Sequence, residues 1–156
     1  MEIKNILVTG GLGFVGSHLV EELLKHSSYR VICSYRANNP KSYFCSRKLQ
    51  NKVILANCDI KDFKRVFDIL TKYEIDTVFH LAAQPIVGIA YKNPLETIET
   101  NIIGTANILE ACRLKNDLKA IVTASSDKAY GKAEKLPYTE KTPLMGDHPY
   151  DVSKSS

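Results

Sequence analysis

The chain of 156 residues has no apolar run approaching the roughly 20 residues that a membrane-spanning helix needs. An apolar strand pattern begins within a few residues of Met1, so no secretory leader is expected. Cys33, Cys45, Cys58 and Cys112 show no C-x-x-C spacing, and the expectation is reduced thiols in a cytoplasmic protein. His18, His26, His80 and His148 are scattered without ligand spacing, so no metal site is expected. There is no basic run interleaved with aromatics: the net charge of +4 comes from 21 basic and 17 acidic residues spread along the chain. No nucleic-acid surface is therefore expected, and with no long apolar run no membrane partner is expected either. Internal repeats and low-complexity tracts are absent.

What the chain does have is an ordinary globular composition, 44% apolar and 24% charged, and a length sufficient for one domain with a real core. Its organising stretch runs from Asn5 to Val20. Ile6, Leu7 and Val8 read as a buried strand, followed by Gly10, Gly13 and Gly16. Gly11-Leu-Gly-Phe-Val-Gly16 also fits G-x-G-x-x-G. Val15, Leu19, Val20, Leu23 and Leu24 then recur at helical spacing. A strand, a glycine turn and a helix are the context that dinucleotide binding requires: backbone amides approach a pyrophosphate, and the helix start faces it.

Further strands are expected at Arg30–Ser34, Val53–Ala56, Thr77–Ala83 and Ala120–Ser125. Tyr35 to Lys52 reads as loop, with Asn38-Asn-Pro40 as a turn. Phe63, Val66, Phe67 and Leu70 give an amphipathic helix, and Leu95 to about Leu114 a long one after Asn93-Pro94; Pro85 and Gly88 break the fourth strand. The alternation predicts an α/β fold: a doubly wound, Rossmann-like parallel sheet of order 3-2-1-4-5. Residues Ser126 to Pro149 lack periodicity and leave a strand's carboxyl end, where such sheets bind ligands. The chain stops one turn into a new helix at Tyr150-Asp-Val-Ser-Lys-Ser-Ser156. The expectation is an incomplete dinucleotide-binding domain over 1–156, truncated before a substrate domain.

Four ordered stretches, Thr9–Gly16, Cys58–Asp62, Phe79–Pro85 and Tyr150–Lys154, resemble the extended short-chain dehydrogenase/reductase family of NAD(P)-dependent nucleotide-sugar epimerases and dehydratases. Asn101–Thr105 and Ala129–Gly131 add to the match. The resemblance implies that Gly10, Gly13, Phe14, Val15 and Gly16 hold the pyrophosphate and that Asp59 and Ile60 flank the adenine. It implies too that Leu81, Ala82 and Ala83 floor the cofactor, with Asn101 nearby, and that the whole protein is a homodimer. Tyr150 and Lys154, one helical turn apart, present a phenol and an ammonium on one face. A nearby cation favours the phenolate, so Tyr150 would take a sugar hydroxyl proton as hydride leaves, and Lys154 would also hold the nicotinamide ribose. Ser126 matches the family's serine or threonine on the reacting oxygen, with Ser125 as a competitor.

Asp127 and Lys128 come next, where the 4,6-dehydratases carry an acid and a base. The Ser-Asp-Lys-x-Tyr loop is similar to that of CDP-glucose 4,6-dehydratases, with a 4-epimerase as the alternative. A reductase, an NAD(P)-binding regulatory protein and a catalytically silent fragment also stay open. The second strand ends at Ser34-Tyr-Arg36 with no carboxylate, so Arg36 points to NADP being tolerated or favoured over NAD. The expected partner is a nucleotide-diphosphate sugar, and residues 1–156 alone are expected to be inactive.

Overall fold

A computed structural model describes residues 4–132 and 136–156. Strands β1 (Lys4–Thr9), β2 (Tyr29–Tyr35), β3 (Ile54–Asn57), β4 (Thr77–His80) and β5 (Ala120–Thr123) form one parallel sheet ordered β3-β2-β1-β4-β5. This is the expected order. The helices are α1 (Phe14–Leu23), α2 (Tyr43–Ser46), α3 (Phe63–Lys72), α4 (Val87–Lys92), α5 (Pro94–Ile98), α6 (Gly104–Lys115) and α7 (Pro149–Ser155). The sheet and its covering helices, up to Ala82 and from Asn107 to Ala124, form one compact unit; Ala83–Ala106 with Ser125–Ser156 form a second.

The pleat of the strands sorts the first unit's core into two. Register aligns Leu7 with Ile32 on one side and Val78 on the other, and these three point to one face. There they meet Val66, Ile69 and Leu70 of α3 and Ile108, Ala111 and Cys112 of α6. Ile6, Val8, Val31 and Cys33 point to the opposite face, against Val20 and Leu23 of α1, Phe44 of α2 and Leu49. A central strand buried on both faces has no polar side to show, which is why Ile6-Leu-Val8 reads as an unbroken apolar run. Truncating a residue such as Leu7 to Ala costs about 2–5 kcal/mol by lost contact and cavity formation.

Three local readings are corrected. The segment expected to be loop, Tyr35 to Lys52, contains α2 and a 3-10 turn at Leu49–Asn51. The Ser42 hydroxyl accepts from the Cys45 amide to start α2, and Phe44 and Leu49 anchor the segment in the core. Past Pro85 the chain forms α4 through Gly88, whose missing side chain would have met nothing within 4 Å. The long helix is not uniform either: α5 and α6 are joined by a π-helical turn, Glu99–Ile103. In the second unit α7 packs against α4, α5 and a 3-10 turn at Asp127–Tyr130. The remainder of Ser126 to Pro149 that is described is irregular, as expected; positions 133–135 lie outside the described residues.

All four cysteines are free. Burial pushes the Cys33 thiol up to about 12, and those of Cys58 and Cys112 to about 11. Since the thiolate is the reactive form, iodoacetamide at about pH 8 should alkylate only the half-buried Cys45 in the native chain. Mass spectrometry should then find all four modified after unfolding; native labelling of Cys33 would contradict the packing.

Candidate functional site

In the first unit the end of β1 is tied to the end of β4 before the glycine turn begins. The Thr9 hydroxyl oxygen accepts from the backbone amides of Leu81 and Ala82, each at 3.1 Å. With both lone pairs taken, its proton goes to His80 Nδ1 at 2.7 Å, which fixes that ring nitrogen as the acceptor. Gly10 comes next in the left-handed region, φ +67°, and a side chain there would come within 2.9 Å of the Ala82 nitrogen. Leu81 and Ala82 are therefore held directly under the turn. Helix α1 is packed just as closely: a Cβ at Gly16 would lie 2.3 Å from the Gly10 carbonyl oxygen. Gly13 begins the helix without a side-chain cap, so the first-turn amides point outward with no side chain closing them off. Phe14 and Val15 beside them are 79% and 64% exposed. Uncapped amides on a ten-residue helix, with no Cβ in the way, suit an anionic diphosphate.

Beyond the ends of β2 and β3, the Arg36 guanidinium lies 3.8 Å from a carboxylate oxygen of Asp59. Asp59 does not cap α3. Its other oxygen accepts from the Lys61 amide, while Asp62 takes the Arg65 amide as the helix cap. Ile60 is buried in the core. The Asn107 amide, which the sequence reading did not single out, donates to the carbonyls of Ile60 and Lys61 and so fixes this turn.

The second unit holds the remaining expected site residues. Ser126 accepts from the Lys128 amide, starting the 3-10 turn, and donates to the Asp127 carboxylate at 3.2 Å. Asp127 and Lys128 are both exposed. Helix α7 packs on this turn and carries Tyr150, 9% exposed, and Lys154. Burial pulls the Lys154 ammonium below the ordinary lysine value. The intervening segment returns tightly on itself: the Met145 amide donates to Ala129, and a Cβ at Gly131, φ +65°, would come 2.1 Å from the Met145 carbonyl.

Ala83 is half-buried, and next to it Gln84 forms a buried hub that the sequence reading missed. The Asn101 side-chain oxygen accepts from the Gln84 amide at 2.7 Å; its nitrogen donates to the Gln84 carbonyl at 3.1 Å and to the Ser153 hydroxyl at 2.9 Å. Asn101 thus has both amide hydrogens committed inside the unit. Among the described residues, no group of His, Cys, Asp or Glu is arranged to hold a metal ion, and no helix is long and apolar enough to cross a membrane.

The family model of GDP-mannose 4,6 dehydratase matches residues 7–156. CDP-glucose 4,6-dehydratase of Salmonella typhimurium is 34% identical over 97% of this chain, and UDP-glucose 4-epimerase of Halalkalibacterium halodurans is 36% identical over 96%. In each case the chain spans 42% of the relative's own length. Among solved structures, UDP-glucose 4-epimerase from Bifidobacterium longum, in complex with NAD+ and UDP, superposes with a TM-score of 0.84 at 32% identity, over 97% of this chain and 46% of that one. With a Rossmann-like sheet, a glycine turn open to an anion and a match over nearly its whole length, the chain belongs to the GDP-mannose 4,6-dehydratase family.

Proposed function

We propose that the protein carrying this chain uses NAD to modify a nucleotide-diphosphate sugar through a 4-keto intermediate, most closely as a 4,6-dehydratase. What carries the reading is the second unit: α7, bearing Tyr150 and Lys154, is packed on the turn bearing Ser126, Asp127 and Lys128. The glycine turn of the first unit is the proposed pyrophosphate cradle, with Leu81 and Ala82 as its floor. NAD bound there would hold the C4 hydride and return it at the end. Tyr150 takes the C4 hydroxyl proton, with Lys154 one helical turn away on the same helix. Ser126 orients the reacting oxygen. The 4-keto group acidifies C5, so Lys128 serves as the base that removes that proton while Asp127 protonates the departing C6 hydroxyl. Water leaves, and Lys128 returns its proton to C5 as C6 takes back the hydride. Relatives include 4-epimerases, so inversion at C4 without elimination is the second reading.

NAD is preferred in this proposal because the solved relative holds NAD+ and because Asp59 lies beside the Arg36 guanidinium. Arg36 remains the group that would accept a 2′-phosphate, so NAD and NADP titrations against wild type and Arg36→Ala measure how far it does. The chain spans under half of its relatives' length, and binding remote from the reacting carbon is what orients a substrate. Residues 1–156 alone are therefore proposed to bind cofactor weakly and not to turn over. The complete protein is proposed to be a homodimer.

The cofactor cradle is tested by two alanines. At Gly13, already at φ −72°, the nearest atom to a new Cβ is the Gly10 carbonyl oxygen at 3.1 Å, so Gly13→Ala should fold and melt close to wild type yet lose NAD affinity. Gly16→Ala should cost about 1–3 kcal/mol of stability by overpacking. Undiminished NAD binding in Gly13→Ala would remove the cradle.

The subclass is tested in the complete protein. Asp127→Asn and Lys128→Met should each block formation of a 4-keto-6-deoxy sugar while still allowing transient cofactor reduction, and Tyr150→Phe should abolish even that. A product inverted at C4 with its 6-hydroxyl retained establishes the epimerase instead.

A further inference from the structure

The π-helical turn at Glu99–Ile103 inserts one residue into an otherwise continuous helix. Such an insertion rotates the succeeding residues by about 100° around the axis and is frequent at functional sites. Here Asn101 sits inside the turn, 5% exposed, clamped to both backbone groups of Gln84. That clamp leaves one amide hydrogen, and it goes to the Ser153 hydroxyl at 2.9 Å. Gln84 is itself held by its side chain on Thr97 and on the backbone of Ile86.

Ser153, also 5% exposed, passes the contact on: its hydroxyl donates to the Tyr150 carbonyl at 2.6 Å. A serine bonding back to the carbonyl three residues earlier ordinarily competes with the helix and bends it slightly. Once its oxygen also receives the Asn101 amide, the hydroxyl is locked in one rotamer. The bend then has a fixed direction, set by a side chain on a different element. Val152 on the outer side of the same turn is 39% exposed and supplies no comparable restraint.

We propose that Ser153 is a positioning residue for Tyr150: relaying the Asn101 amide to the Tyr150 carbonyl, it sets the rotation of α7 about its axis and so the direction in which the phenol and the Lys154 ammonium are presented. This rests on the reading of Tyr150 as the base, but the relay itself is independent of any reaction. It explains why a helix of seven residues, too short to be stable by its own propensity, holds its register.

The test uses tyrosine labelled at the ζ-carbon, with the Tyr150 resonance assigned by its absence in Tyr150→Phe. In Ser153→Ala the resonance should shift and broaden, with the melting temperature lowered because the buried Asn101 amide hydrogen loses its acceptor; Asn101→Asp, which removes that donor together with the one to the Gln84 carbonyl, should move it at least as far. The double variant should go no further, and Ser153→Thr should restore the wild-type position. In the complete protein, Ser153→Ala should lower kcat about tenfold with the KM for the nucleotide sugar nearly unchanged, as expected for a misdirected base rather than a lost binding contact. An unmoved Tyr150 resonance in Ser153→Ala overturns the proposal, as does additivity of the two single variants. Turnover that survives Tyr150→Phe would instead remove the reading of Tyr150 as the base and leave the relay standing.

Discussion

Strand β1 must be apolar on both faces and must end in a turn that has no side chain at Gly10, Gly11 or Gly13, and most of the first unit derives from those two demands. Leu7 supplies one core and Ile6 and Val8 the other, so helices have to cover both sides of the sheet. Parallel neighbours β2 and β4 then result from the crossovers that bring those helices into place. At its carboxyl end the strand cannot continue, because Gly10 turns into the left-handed region and lies against Ala82. Helix α1 has to start there, close enough that only hydrogen fits at Gly16. One strand therefore sets both the core and the place where uncapped amides are displayed.

The proposed chemistry of the second unit depends on a different kind of restraint. Its helices are short, its connecting segment is irregular, and few large apolar groups are buried in it. Polar contacts hold it instead: Asn101 to Gln84 and Ser153, Ser153 to Tyr150, and Ser126 to Lys128. A buried amide that loses one partner pays its desolvation without return, so such a network is either complete or strongly destabilising. That is a suitable basis for directing a phenol, since direction is what hydrogen bonds specify and apolar packing does not. The partly desolvated Lys154 stands on the same helix, and the two features are consistent with one purpose.

The sheet order and the glycine turn were legible in the sequence because each rests on a local signal: apolar runs of strand length, a 3.6-residue stripe in α3, and glycines spaced between a strand and a helix. The family was legible for the same reason, as an ordered set of short motifs. Other features had no such signal. Four residues of α2 are too few to show a period, and Phe44 looks like any loop aromatic until the core closes around it. Pro85 and Gly88 argued against α4, but the proline precedes its first turn, and the glycine's cost of about 1 kcal/mol is small enough for tertiary packing to override.

By itself, then, the sequence determined where strands and helices alternate, that β1 is central, and that a glycine turn leads from it into a helix; these come from spacing and side-chain size alone. Only the tertiary structure decided that the helix bearing Asn101 carries an extra residue in one turn, that Arg36 stands beside Asp59, and that Ser153 links Asn101 to Tyr150. Ser153 lies 52 positions from Asn101, and Arg36 lies 23 from Asp59. Contacts at such separations exist only after the chain has closed loops whose ends carry no mark of one another, which is the physical reason that no reading of local pattern could supply them.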